Sequence, residues 1–303
     1  MIPLLSSLCY GPLEVCQLPR TWWKVLLRNA GILDEEYPDV SEGLDKSVLE
    51  VLNLDRETTL AYLRETMPDY LRFESWVLGQ NDGTLDREAI ETWNESVRTR
   101  IHTRPDKLEE TTNDIGIPND GAITSAVVLN GLQDWSLFYK RDLNGEFSAV
   151  SGHAAPLISS LDYGPLNVCQ LPRTWLKILL KSRNLLHPDY PDMTEDGLDP
   201  RALRAVNVVP NDAVRFIRDN APAYLDFEAW VLGQNDGRVD PGAVEEWNAF
   251  VRTRIHSEEK IVDIHNTLGL ENDGCLTSAV VLNHVEDWHF AHADLTDRGP
   301  GLQ

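Results

Sequence analysis

Apolar positions recur along the chain at helical spacing, and no run of strict alternation competes with them. Trp22, Val25 and Leu26 share a face that begins just after Pro19, a residue suited to the first turn of a helix. Leu44, Val48, Leu49 and Leu52 repeat the spacing, and Leu60 and Leu63 continue it. A fourth helix carries Tyr70, Phe73, Trp76 and Val77, stops at Gly79 and runs into a turn signal at Asn81, Asp82 and Gly83. Asp86 is placed to cap a fifth, with the stripe Ile90, Trp93, Val97 and Ile101. Thr124 can cap a last helix bearing Val127 and Val128 ahead of a tryptophan. The pattern predicts an all-α protein.

The chain then repeats itself. YGPLEVCQLPRTWWK at residues 10–24 returns as YGPLNVCQLPRTWLK at 163–177, an offset of 153 residues. One residue inserted near Asp196 makes the offset 154 until about His256, and a compensating deletion restores 153. In those registers Gly43 matches Gly197, Trp76 matches Trp230, Val97 matches Val251 and Thr124 matches Thr277. A period this long predicts a duplicated domain, giving two similar helical lobes in a pseudo-twofold arrangement. The expected division is 1–143, a small-residue linker at 144–155, a second domain at 156–295 and a tail at 296–303.

Length and composition fit that division, since 303 residues exceed a typical single core. The net charge of −22 is even, with 14 Lys and Arg against 26 Asp and Glu through Val150, and 13 against 23 afterwards. So acidic a surface repels phosphate backbones, which argues against nucleic acid and anionic membrane as partners. No apolar run reaches spanning length, and the N-terminal stretch lacks the basic region of a signal peptide. Cys9, Cys16, Cys169 and Cys275 form no CxxC pair and predict reduced, buried thiols in a cytoplasmic chain.

The order of motifs resembles the bacterial domain of unknown function 5069, once in each half. The residues that carry the resemblance are LPR at Leu18 and Leu171, SWV and AWV at Ser75 and Ala229, ETWN and EEWN at Glu91 and Glu245, and DW at Asp134 and Asp287. That family has no established activity, so the resemblance implies a fold unit and transfers no catalytic residue. A tandem form departs from its usual single copy.

Candidate chemistry begins at Arg20 and Arg173, each beside a helix-starting proline where free N–H groups favour an anion. A ligand carboxylate or phosphate suits that corner; so does an internal carboxylate, Asp134 or Asp287, in a purely structural pair. Tyr10 and Tyr163, just upstream, are candidates to add a hydroxyl to the same pocket or to plug it. Glu74 and Glu228 lie in the tryptophan-bearing fourth helix, where burial would raise a carboxyl toward general-acid range. His102 and His256 end the RTRIH segments, suited to a helix C-terminus or to proton transfer. Asp82 and Asp236 read as turn formers. His284, Asp287, His289 and His292 match no metal-ligand spacing, and no phosphate loop, nucleophile elbow or dinucleotide fingerprint occurs. No metal and no cofactor is implied.

Two function classes follow. One is a cofactor-free enzyme or ligand-binding protein of bacterial metabolism, with an anionic small molecule held by Arg20 or Arg173 and a proton handled by Glu74, Glu228 or His256. The other is a non-catalytic accessory subunit that binds a partner protein. Divergence separates them: polar differences between the halves should cluster in space in an enzyme and scatter in a scaffold. Cys9 against Asp162, Asp34 against His187 and Gly131 against His284 are such differences. The second half holds most of the histidines and is expected to carry any activity near neutral pH.

Overall fold

A computed structural model of the chain describes residues 1–145, 154–191 and 193–297. Most of the expected linker, with His153, and positions 298–303 of the expected tail lie outside the described residues. Among those described there are fourteen α-helices and no strand. The first half gives α1 (Leu18–Asn29), α2 (Leu44–Val51), α3 (Arg56–Thr66), α4 (Tyr70–Gln80), α5 (Arg87–Arg98), α6 (Pro105–Ile115) and α7 (Ala126–Leu137), which runs into a π-helical turn over Phe138–Leu143. The second gives α8 (Leu171–Ser182), α9 (Leu198–Ala205), α10 (Pro210–Asn220), α11 (Tyr224–Gly233), α12 (Pro241–Thr253), α13 (Glu258–Leu268) and α14 (Ala279–Asp297).

The compact units cut across the repeat. Unit 1 is Met1–Arg100 with Ile255–Gln303, and unit 2 is Ile101–Arg254. Each therefore takes its closing helical hairpin from the other half of the sequence, α13–α14 in unit 1 and α6–α7 in unit 2. This corrects the division at 143 and 156. An apolar stripe tells a helix to be buried but not on which of two nearly identical cores, so a swap inside one chain leaves no mark in the pattern.

In unit 1, α1 packs against α2, α3 and α4, while α14 packs on α4. In unit 2, α8 packs against α9, α10 and α11, and α11 also meets α7. Both central helices are buried nearly all round, through Trp22, Val25 and Leu26 in one and Trp175, Ile178 and Leu179 in the other. Their buried polar groups must then find partners. Thr21 Oγ1 and Gln17 Nε2 donate to Asp45 Oδ1 at 2.8 and 2.7 Å, and Lys24 Nζ lies 2.6 Å from Asp45 Oδ2. Thr174, Gln170 and Lys177 repeat the arrangement on Asp199 at 2.9, 2.7 and 2.5 Å. Burial pushes the Asp45 carboxyl up, but Lys24 and the hydrogen bonds from Lys24 and Ser41 outweigh it and hold the group at about 2.

Several local expectations shift. The side chain of Asp86 caps α5 as its position predicts, accepting from Ala89 N at 3.0 Å. The caps of α7 and α14 are Ser125 and Ser278, one residue after the threonines, and their hydroxyls accept from Val128 N and Val281 N. Ile101 falls outside α5 and is 55% exposed. α6 has no apolar stripe of the usual kind, because it buries Thr111 and Thr112 with Ile115, whereas α13 buries Ile261 and Ile264 with His265 between Ile261 and Leu268 on the same face.

Candidate functional site

In each unit the chain ahead of the central helix is held down by a Trp-Asn pair. Trp93 Nε1 donates to Cys16 O at 2.9 Å, Asn94 Oδ1 accepts from Cys16 N at 2.9 Å, and Asn94 Nδ2 donates to Glu14 O at 2.6 Å. Trp247 and Asn248 do the same to Cys169 and Asn167 at 2.8, 2.9 and 2.6 Å. The repeated ETWN and EEWN motifs are thus clamps on the repeated YGP segments.

Each clamp lays a glycine on a buried Tyr-Glu pair, Tyr70 with Glu74 on α4 and Tyr224 with Glu228 on α11, four residues apart and so on one helix face. A Cβ on Gly11 would stand 2.4 Å from Tyr70 Cε1 and 2.7 Å from Glu74 Oε1; on Gly164 it would stand 2.5 Å from both Tyr224 Cε1 and Glu228 Oε1. Only glycine fits. Leu13 N donates to both Glu74 oxygens at 3.3 Å, and Leu166 N donates to Glu228 Oε1 at 3.4 Å. Burial raises the Glu74 carboxyl to about 8 and that of Glu228 to about 7. Both tyrosine hydroxyls are pushed up by burial and by the neighbouring glutamate.

The two pairs differ where it matters chemically. Tyr224 Oη donates to Glu228 Oε1 at 2.6 Å. Tyr70 Oη is near enough to favour the Glu74 carboxylate, yet it is buried and makes no hydrogen bond of good length and angle. Beside it, α14 brings in His284, whose Nδ1 pairs with Tyr10 O at 2.9 Å and whose ring stacks on Trp288 at 5.2 Å and meets Tyr10 edge-on at 6.0 Å. Trp288 in turn lies edge-on to Tyr70 at 4.5 Å. Unit 2 has Gly131 at the matched position, with Trp135 edge-on to Tyr224 at 4.8 Å. Cys9 adds a further upward push on Tyr70, and Asp162, its counterpart, does so on Tyr224. Two of the three polar differences between the halves thus meet at one place. The third does not, since Asp34 N donates to Met1 O and His187 N to Ala154 O, matched contacts at the start of each segment.

The arginines are placed differently from an anion holder. Arg20 Nη1 donates to Pro3 O at 2.8 Å and Leu5 O at 2.7 Å, and Arg173 Nη1 donates to Pro156 O and to Ile158 O at 2.9 Å. Both guanidiniums strap the extended segment that precedes the central helix. Tyr10 and Tyr163 are half-buried, and burial raises their hydroxyls. His256 pairs through Nε2 with Asn283 Oδ1 at 2.8 Å, as His102 does with Asn130 at 2.9 Å, so matched histidines tie each hairpin to the segment entering it. Asp82 and Asp236 sit at φ 51° and 52° in left-handed turns. Burial holds the Cys16 thiol up at about 11 and the Cys169 thiol at about 12, which leaves them protonated and unreactive. Cys275 is exposed, against the expectation of a buried thiol.

Tyr70 was not legible as a site residue, although Tyr and Glu four apart in both halves was a usable signal, whereas His284 was marked in the sequence as a polar difference between the halves. The Lys24–Asp45 pair was likewise signalled by Gln17, Thr21 and Lys24 on one helix face and by the repeated GLD. Among the described residues no three His, Cys, Asp or Glu side chains converge as metal ligands, and no helix is long and apolar enough to cross a membrane. Comparison with protein-family models, curated proteins and solved structures gives no match to the chain.

Proposed function

We propose that unit 1 carries a cofactor-independent small-molecule site in which Glu74 handles a proton, Tyr70 offers its hydroxyl to the ligand, and Tyr10 and His284 form the adjoining wall. The observation that carries this reading is the buried Tyr70 hydroxyl, which faces Glu74 without the well-formed hydrogen bond that Tyr224 makes to Glu228. A buried hydroxyl without a good hydrogen bond costs about 1–3 kcal/mol, which a ligand accepting from it would recover. With its carboxyl raised to about 8, Glu74 is mostly protonated at neutral pH and serves as a general acid. The site draws Tyr10 and Glu74 from one half of the sequence and His284 from the other.

A metabolite library screened by native mass spectrometry at pH 6.5 tests the reading, using wild type, Tyr70→Phe, Glu74→Gln and the matched control Tyr224→Phe. Tyr70→Phe and Glu74→Gln are expected to lose a ligand that Tyr224→Phe retains. Loss in the control alone would move the site to unit 2 and sink the proposal.

A further inference from the structure

Unit 2 contains a cavity of about 250 Å³. Its walls come from α6 and the start of α7, the connecting loop at 117–123, and two residues next to the covered glutamate of that unit. Leu108, Ile117, Ile123, Leu129, Pro165 and Leu225 give it an apolar lining. Pro165 follows Gly164, which lies on Glu228, and Leu225 follows Tyr224, so one side of the cavity is set by the packing of Gly164 on the Tyr-Glu pair and the other by the loop at 117–123.

The cavity has a local cause. Thr112 lines it, and its hydroxyl is turned back to Leu108 O at 2.9 Å, which presents only a methyl to the space. The matched residue of α13 in unit 1 is His265, buried and paired through Nδ1 with Ile261 O at 2.8 Å. The same backbone contact is kept by a side chain with a ring in one unit and a stub in the other. Where the ring stands, Ile261, Ile264 and Leu282 close into a small core with Leu268 and Leu276 packed against it.

We infer that this half-open cavity of unit 2 is a binding site for a small uncharged apolar molecule, flat or short-chained, held by contact with its apolar wall. Size sets the class: an engineered apolar cavity of about 150 Å³ accepts benzene, so 250 Å³ suits roughly ten non-hydrogen atoms. Charge sets it too. The lining has no Lys, Arg or His, its one ionisable residue is Asp120, and the chain carries a net charge of −22, all of which disfavour an anion. Asp120 Oδ1 is engaged with Ala122 N at 2.9 Å, shaping the loop at the rim.

The test uses the full-length protein with methyl-labelled Ile and Leu, titrated with indole and with indole-3-carboxylate and followed by NMR. Saturable shifts are expected at Ile117, Ile123, Leu129 and Leu225 with indole, and binding at least tenfold weaker for the carboxylate. Thr112→His, which installs the side chain that unit 1 accommodates at the same place, is expected to weaken indole at least tenfold with the fold intact. Should that variant unfold, Ile123→Trp on the half-exposed loop fills the same space and carries the same expectation. Absence of saturable shifts at these methyls, equal binding of the carboxylate, or undiminished binding in a folded filled variant would each overturn the inference.

Discussion

Unit 1 and unit 2 have the same frame and different centres. The Trp-Asn clamp, the Lys-Asp pair under the central helix and the glycine laid on a Tyr-Glu pair agree to within 0.2 Å in most of their contacts. Among the departures are a Tyr70 hydroxyl poorly aligned on Glu74 against a Tyr224 well bonded to Glu228, His284 against Gly131, and His265 against Thr112. Shared residues therefore build the scaffold, and the differences mark where each unit keeps open polar groups or open volume. Repetition in a sequence directs attention to the former, whereas chemistry resides in the latter.

The largest effect that could break this comparison concerns the units themselves. Residues 101–254 expressed alone should melt cooperatively, because they hold α8 together with the hairpin that covers it. Deleting residues 255–303 should strip unit 1 of Trp288 and His292 from the face of Trp22 and Tyr70 and unfold it, while unit 2 survives. Hydrogen exchange on the truncated chain reads both. If 101–254 were unfolded and fragments 1–145 and 155–303 each folded alone, the compact units would be wrong and the division at the repeat right.

A somewhat smaller effect tests whether the frames are energetically alike. Lys24→Met and Lys177→Met each leave a buried aspartate uncompensated, and about 3–5 kcal/mol is expected from either in urea melts. The pH dependence has a definite sign. The Asp45 carboxyl is held at about 2, below its unfolded value of about 3.9, so its contribution is present above pH 4 and lost as the pH falls through 2. Costs that differ greatly between the two variants would mean the matched networks do unlike work.

Much of the frame was legible because it obeys local rules. Pro19 in a first turn, Asp86 as a cap and the burial of Trp22, Phe73 and Val97 all follow from residue type and a period of 3.6. α6 escaped because threonines occupy its inward positions, and the exchanged hairpins escaped because periodicity carries no address. At the site, the upward shift of Glu74 was foreseeable from its place among aromatics, but the roles of Arg20 and Arg173 were not. A guanidinium beside a helix start can face a ligand or the carbonyls of its own chain, and only the path of residues 3–5 decides between them.

The glutamates offer a sharper contrast between the centres. A carboxyl raised by folding binds its proton more tightly than the unfolded chain does, so its effect is neutral below the unfolded pKa of about 4.3 and destabilising as pH rises toward the folded value. Glu74, at about 8, should lose stability over a wider window than Glu228, at about 7. Glu74→Gln is therefore expected to relieve more destabilisation between pH 5 and 8.5 than Glu228→Gln. Thermal melts across that range check it, and a larger relief from Glu228→Gln would reverse the assignment of the two centres.

The smallest effect separates differences that matter from those that do not. His292 Nε2 pairs with Met67 O at 2.9 Å, and Tyr139 Oη donates to Ala221 O at 2.6 Å. Met67 and Ala221 are the left-handed ends of matched helices, at φ 43° and 41°, whose carbonyls need a donor from the closing hairpin. A histidine and a phenol supply it equally well, so this polar difference should be silent. His292→Tyr is expected to change stability by less than one net hydrogen bond, about 1 kcal/mol, and to leave ligand binding in unit 1 unchanged. His284→Gly, which gives unit 1 the residue found in unit 2, is expected to abolish that binding, because it removes the ring between Tyr10 and Trp288. If both variants lost the ligand alike, the site would depend on the seating of α14 as a whole, and His284 would have no special place in it.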